Sequence, residues 1–243
     1  MAAWMLAMVA SYGVLESFSL GLIAQSSLLL AGLFVCWVKV PPRIVGILGG
    51  FGAGALIAAV SFDLIDEASN LTNVELGAWM LFGAAIFIVG DRLVERRFGA
   101  EGAGGSMGII VGSVVDGVPE SIIFGIQIAT GFPVSASFLA SVWVSNIPQA
   151  MAPSADLAGS GWSARRLGML WFKVVVACGV AAAVGYLFAN AVADAGGDRV
   201  AGLAAGGILA MLTTSLMPFS WERGGQIAGA ATVVGFCLSY FGT

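Results

Sequence analysis

The sequence contains no histidine, which removes the imidazole that most zinc sites depend on. Charge is nearly as scarce. Lys, Arg, Asp and Glu together make up 10% of the 243 residues, while 59% are hydrophobic. A soluble domain carries about a quarter charged residues, so a water-soluble globule is excluded. The three cysteines, Cys36, Cys178 and Cys237, lie far apart, each inside an apolar segment. They read as inert thiols and not as a disulfide framework or a thiolate metal site. No basic stretch precedes the first apolar residues, so no cleavable secretory signal is expected. No nucleophile stands with a base, so the chain is not expected to be an enzyme. Neither a bound cofactor nor a nucleic-acid partner is expected.

What remains is apolar length. Mean hydropathy is +0.97, and long apolar runs recur from end to end, each near the roughly 20 residues that cross a bilayer as a helix. Glycine is abundant, at 35 residues, as expected where helices pack closely inside lipid. The expected class is an all-α polytopic membrane protein, a single membrane domain over residues 1–243. Hydropathy and the polar breaks place about eight spans, near 12–37, 44–66, 76–90, 107–130, 133–157, 167–192, 200–219 and 226–241. The seventh and eighth are read as separated by Ser220-Trp221-Glu222-Arg223-Gly224-Gly225. The run from Gly99 to Gly105 is the one linker-like segment.

Loop cations set the orientation. If the first loop is cytoplasmic, alternate loops collect Lys39, Arg43, Arg92, Arg96, Arg97, Arg165, Arg166 and Arg223, and the opposite side holds Arg199. That partition predicts a multi-pass protein of the inner (cell) membrane with both termini outside the cytoplasm. An internal repeat is also visible. Ala53-Gly54-Ala55-Leu56-Ile57-Ala58 matches Ala205-Gly206-Gly207-Ile208-Leu209-Ala210 at a constant offset, and Leu64 falls over Leu216. These spans would run in opposite directions, the inverted-repeat plan of many transporters; the alternative is chance similarity between Gly/Ala-rich spans.

The polar residues inside the spans carry the chemistry. In Val115-Asp116-Gly117-Val118-Pro119-Glu120-Ser121, Asp116 and Glu120 sit at i and i+4 and face the same way on a helix. Pro119 frees the carbonyl of Val115. Two carboxylates inside a span are costly and mark an ion path by default; the bland alternative is protonated acids bonded as helix glue. A neutral copy follows in Ser145-Asn146-Ile147-Pro148-Gln149-Ala150, whose proline frees the carbonyl of Val144. Ser145, Asn146 and Gln149 read as oxygen ligands facing Asp116 and Glu120, or as inter-helix hydrogen-bonding groups. An all-oxygen set suits Mg, Mn or Ca better than zinc. Lys173, a few residues into the sixth span, either snorkels to the interface or serves as the charge partner of Asp116 or Glu120. Asp63, Asp66 and Glu67 end the second span, as a solvated mouth or as an entrance that attracts cations. Glu16 in the first span is unexplained at this level.

These motifs resemble those of the ZIP family of divalent-metal transporters. That family's fourth-helix motif reads His-Asn-x-Pro-Glu-Gly, which Asp116-Gly117-Val118-Pro119-Glu120-Ser121 matches at Pro119 and Glu120. The fifth-helix motif of the most similar subgroup is matched at Asn146 and Pro148. Phe62-Asp63-Leu64-Ile65-Asp66-Glu67-Ala68 is similar to the family's Leu-His-Leu-Leu-Pro-Glu-Ala, and Ser215-Leu216-Met217-Pro218 has the look of its seventh span. The resemblance covers essentially the whole chain. It implies eight spans, both termini outside, and a metal path between the fourth and fifth helices. Both motif histidines are replaced, by Asp116 and Ser145, the first asparagine is Gly117, and the fifth-helix acid is Gln149. One position would then be lined by Asp116, Glu120, Ser145 and Gln149, the other by Glu120, Asn146 and Gln149 alone. The expectation is a transporter of a divalent metal ion, its substrate, toward the cytoplasm, with the lipid bilayer as surroundings. Whether the chain forms a homodimer is left open. The alternative is a degenerate relative, structural or regulatory, held by a pair between Lys173 and Asp116 or Glu120.

Overall fold

The computed structural model describes residues 2–98, 106–131, 134–191 and 197–242; within these, the side chains at 2–11, 94–95, 97–98, 106–116, 119 and 191 lie outside the description. All regular structure among the described residues is helical. Helix α1 is Ala2–Phe34, and α2 runs Pro42–Ala59, passes through a π-helical turn Val60–Leu64 and ends at Ile65–Glu67. Then come α3 (Asn73–Phe98), α4 (Ser106–Thr130), α5 (Ala136–Gly159) and α6 (Ala164–Ala191). Helix α7 runs Gly197–Met211, a second π-helical turn Leu212–Leu216 and Met217–Gly224; α8 is Gln226–Tyr240.

Among the described residues five helices have stretches long and apolar enough to cross a membrane: Tyr12–Phe34, Pro42–Glu67, Asn73–Leu93, Ala164–Asn190 and Gly197–Gly224. Gln226–Tyr240 is a shorter apolar helix, and so is Glu120–Thr130, the part of α4 whose side chains are described without interruption. The chain is therefore all-α and compatible with a membrane protein. The helix ends follow local chemistry. Pro42 opens α2, where its missing N–H costs nothing, and Ser135 caps α5 by accepting from the Phe138 N–H at 3.3 Å. One expected break is corrected: Ser220-Trp221-Glu222-Arg223-Gly224 continues α7 as helix, and the chain turns only at Gly225, with φ 59°. Polar residues can extend a helix beyond its apolar stretch, and the change of direction needs the backbone freedom of glycine. Gly99–Gly105, read as a linker, lies outside the described residues.

The internal repeat extends from sequence into packing. Exchanging α1 with α6, α2 with α7, α3 with α8 and α4 with α5 maps the helix neighbours onto each other: α2 packs on α8 as α7 packs on α3, and α1 on α5 as α6 on α4. One constant offset relates the contacts in detail. A methyl group on Gly54 would strike the Thr232 carbonyl of α8, and one on Gly206 the Met80 carbonyl of α3. In return, Gly235 lies against the Phe51 carbonyl and Gly83 against that of Leu203. Both π-helical turns fall at the same register of the repeat. In each, a hydroxyl closes on the carbonyl four residues back, Ser61 on Ile57 at 2.8 Å and Thr213 on Leu209 at 3.0 Å. Leu64 and Leu216 are both buried. Chance similarity between Gly/Ala-rich helices does not produce matched collisions across four helices.

The interior consists of two apolar cores. One gathers Ala24, Leu64, Phe124, Phe138, Val142, Ile208 and Leu216; the other gathers Leu28, Val45, Ala150, Met151, Trp171 and Cys178.

Candidate functional site

Between the two cores lies a polar belt. On α1 the order is Ala24, Gln25, Leu28; on α4, Phe124, Glu120, Val118; on α5, Val142, then Ser145 and Asn146, then Ala150. In each case the outer residues belong to opposite cores and the polar ones separate them. Glu120, Gln25, Ser121 and Ser145 are 0% exposed and Asn146 is 1% exposed. These five side chains are thus closed off from solvent.

The hub of the belt is Gln25 of α1, a residue that sequence reasoning missed. The Gln25 Nε2 donates to Glu120 Oε2 at 3.2 Å and lies 3.5 Å from the Gly117 carbonyl oxygen. Its Oε1 accepts from the Asn146 Nδ2 at 2.8 Å. One amide thereby joins the α4 and α5 motifs. The local signal was present, a glutamine inside an apolar run with two serines after it, but its partners lie 95 and 121 residues away. Gly117 makes room for it: a Cβ there would fall 3.1 Å from both Gln25 Oε1 and Cys178 Sγ. Ser121 donates to the Gly117 carbonyl at 2.7 Å, and Ser145 to the Val142 carbonyl at 2.9 Å.

Glu120 and Asn146 are therefore joined through Gln25; Ser145 is buried beside Gly52 of α2, and Gln149 follows one turn along α5, half-buried. Asp116 lies on α4 one turn before Glu120, but its side chain lies outside the described residues. The Asn146 Oδ1 and the Gln149 Nε2 are buried without a hydrogen-bond partner among the described residues. A buried acceptor left unmet costs about 1–3 kcal/mol, so Asn146 Oδ1 has spare capacity for an electropositive ligand. Pro148 and Pro153 both lie inside α5, which withdraws the usual helix donors from the carbonyls of Val144 and Gln149. Among the described residues no three His, Cys, Asp or Glu side chains converge. Among the described side chains, a cation here would meet the Glu120 carboxylate supplemented by amide, hydroxyl and carbonyl oxygens.

The second-span acids form a separate layer. Asp63 sits in the first π-helical turn and its Oδ2 accepts from the Ser137 hydroxyl at 2.6 Å. The Glu67 Oε1 accepts from the Gln127 Nε2 at 2.8 Å, while Asp66 is exposed. Gln127 stands two helical turns beyond Glu120 on α4, and its Oε1 is buried without a partner among the described residues. Between this layer and the belt stand Phe124 and Phe138, both 0% exposed, with ring centroids 5.0 Å apart. An apolar plug thus divides the α2 acids from Glu120.

Among the described residues Lys173 forms no ion pair, and the Asp116 side chain lies outside the description. Lys173 is exposed and lines a cleft with Trp162, Arg165 and Arg166. Glu16, also exposed, lines a cleft of about 450 Å³ beside Gly131 and Val134. Cys178 is buried and Cys36 and Cys237 are not; all three are free thiols. No family model matches this chain, and no curated protein does either.

Proposed function

We propose that the chain is a ZIP-like transporter that moves a divalent metal cation toward the cytoplasm. In this reading it crosses the inner membrane eight times, with both termini on the non-cytoplasmic side. The observation that carries the proposal is the buried belt. A carboxylate held at 0% exposure between two apolar cores is expensive unless it has a use. The repeat in packing supports the transporter plan, since inverted halves place a substrate site at their interface. The cation would rest on Glu120 and Asp116, with Ser145, Asn146 and Gln149 as neutral oxygen ligands. Gln25 delivers the amide that Gly117 lacks, and its hydrogen bonds to Glu120 and Asn146 would yield as the ion enters. Asp63, Asp66 and Glu67 form the entrance layer. Passage inward requires Phe124 and Phe138 to part, so the described arrangement is closed on that side. Oxygen ligands with one or two charges suit a weak, quickly exchanged site.

The test is the melting temperature of the detergent-purified protein against Zn, Mn, Fe(II), Cd, Co, Mg and Ca, with uptake of the stabilising ion into proteoliposomes. An ion at a hundredfold excess over its dissociation constant stabilises by about 2.7 kcal/mol. That shift should vanish in Asp116→Asn/Glu120→Gln, and undiminished uptake by Glu120→Gln overturns the site assignment.

A second reading has its own support. The Gln25 hydrogen bonds to Glu120 and Asn146 hold three helices together without any ion, as a scaffold that no longer transports would need. That reading predicts no metal-dependent shift. If the scaffold also depends on a pair with Lys173, Lys173→Met should destabilise it.

A further inference from the structure

We infer that the basic cleft at the start of α6 binds a phosphate ester, the headgroup of an anionic phospholipid. The inference is independent of metal transport and needs only that the apolar helices lie in a bilayer. The cleft, about 320 Å³, is lined by Trp162, Ser163, Arg165, Arg166, Met169, Leu170 and Lys173, with three cations and no acid.

Helix geometry explains why the three charges meet. Ser163 accepts from the Arg166 backbone N–H at 3.3 Å, which fixes where the arginines leave the helix start. Lys173 lies two turns further on, about 10 Å along the axis at 1.5 Å per residue. Side chains on a helix lean toward its N-terminus, so the lysine stem extends back toward the arginines. The Arg166 guanidinium lies 3.7 Å from the centre of the Trp162 ring. Stacking uses its face and leaves its edge N–H groups free to fork onto phosphate oxygens. None of the three cations forms an ion pair among the described residues.

Repulsion among three unneutralised charges in one cleft opposes the arrangement, and a phosphate anion relieves it. The apolar flank favours a lipid as the source. Met169 is 53% and Phe172 59% exposed, a path for acyl chains running down α6 from the headgroup. Tryptophan beside the arginines is the usual composition of a membrane–water boundary.

The experiment is lipid retention by the full chain in discs of neutral phosphatidylcholine doped with phosphatidic acid, read by native mass spectrometry and by titration. Wild type should retain phosphatidic acid in preference to phosphatidylcholine. R165Q/R166Q/K173Q should bind it roughly a hundredfold more weakly, about fivefold per cation. If that variant does not fold, K173Q alone should show its share, about fivefold. R92Q/R96Q, which removes two exposed cations of α3, should bind like wild type. Equal loss in that control, or equal retention of both lipids by wild type, overturns the site. Inorganic phosphate added as competitor separates the sources: no displacement supports the headgroup, and full displacement of the lipid supports a phosphate site that also accepts the free anion.

Discussion

The two halves of this molecule agree in backbone and differ in chemistry. Gly54 and Gly206 meet opposing carbonyls in matched positions, and both halves insert a π-helical turn at one register. Yet the α4 motif carries Asp116 and Glu120, where the α5 motif carries Ser145 and Gln149. The first π-helical turn presents Asp63 where the second presents Ser215. Packing between helices tolerates little change in shape, since overfilling a tight contact costs about 1–3 kcal/mol. Hydrogen-bonding character can drift as long as each buried group finds a partner. The two halves thus share a frame while their faces are unequal, one acidic and one neutral.

That inequality can be broken most sharply at Glu120. Glu120→Gln should lower uptake of the stabilising ion by roughly ten- to a hundredfold, taking a charged partner to contribute about 1.5–3 kcal/mol, as it does in hydrogen bonds. The reciprocal Gln149→Glu should retain uptake. Equal losses in the two variants would remove the functional asymmetry. The shared frame is tested by Gly54→Leu and Gly206→Leu. Each should cost about 3 kcal/mol, lowering the melting temperature alike, whereas tolerance of either would mean that the halves do not share their contacts. Next comes the hub: Gln25→Leu strands the Asn146 Nδ2 and removes a donor from Glu120, for a loss of about 1–3 kcal/mol in chemical denaturation. The smallest effect belongs to the layer of α2 acids. Ser137→Ala removes the hydroxyl that donates to Asp63 and should cost about 1 kcal/mol, with uptake changed less than in Glu120→Gln.

The fold was readable because its determinants are local or periodic. Apolar length marks helices, proline and glycine mark their ends, and the repeat shows as similar sequence at one offset. The seventh helix was cut short in that reading because Ser220-Trp221-Glu222-Arg223 looks like a loop by polarity, while the backbone still finds helical partners there. Half of the site was readable for a related reason. Spacing alone puts Asp116 and Glu120 on one face, and the second motif announces itself by its proline.

Sequence alone determined the class of element, the repeat, and the polar groups on α4 and α5, since each follows from the period of a helix or from composition. Tertiary structure decided which of those groups share a site. Gln25 became its hub because folding brings α1 between α4 and α5. The same folding left Lys173 at the surface with two arginines, and set Phe124 against Phe138 between the α2 acids and Glu120. The physical reason is that partners across helices are chosen by packing at long range, and no local pattern encodes that choice.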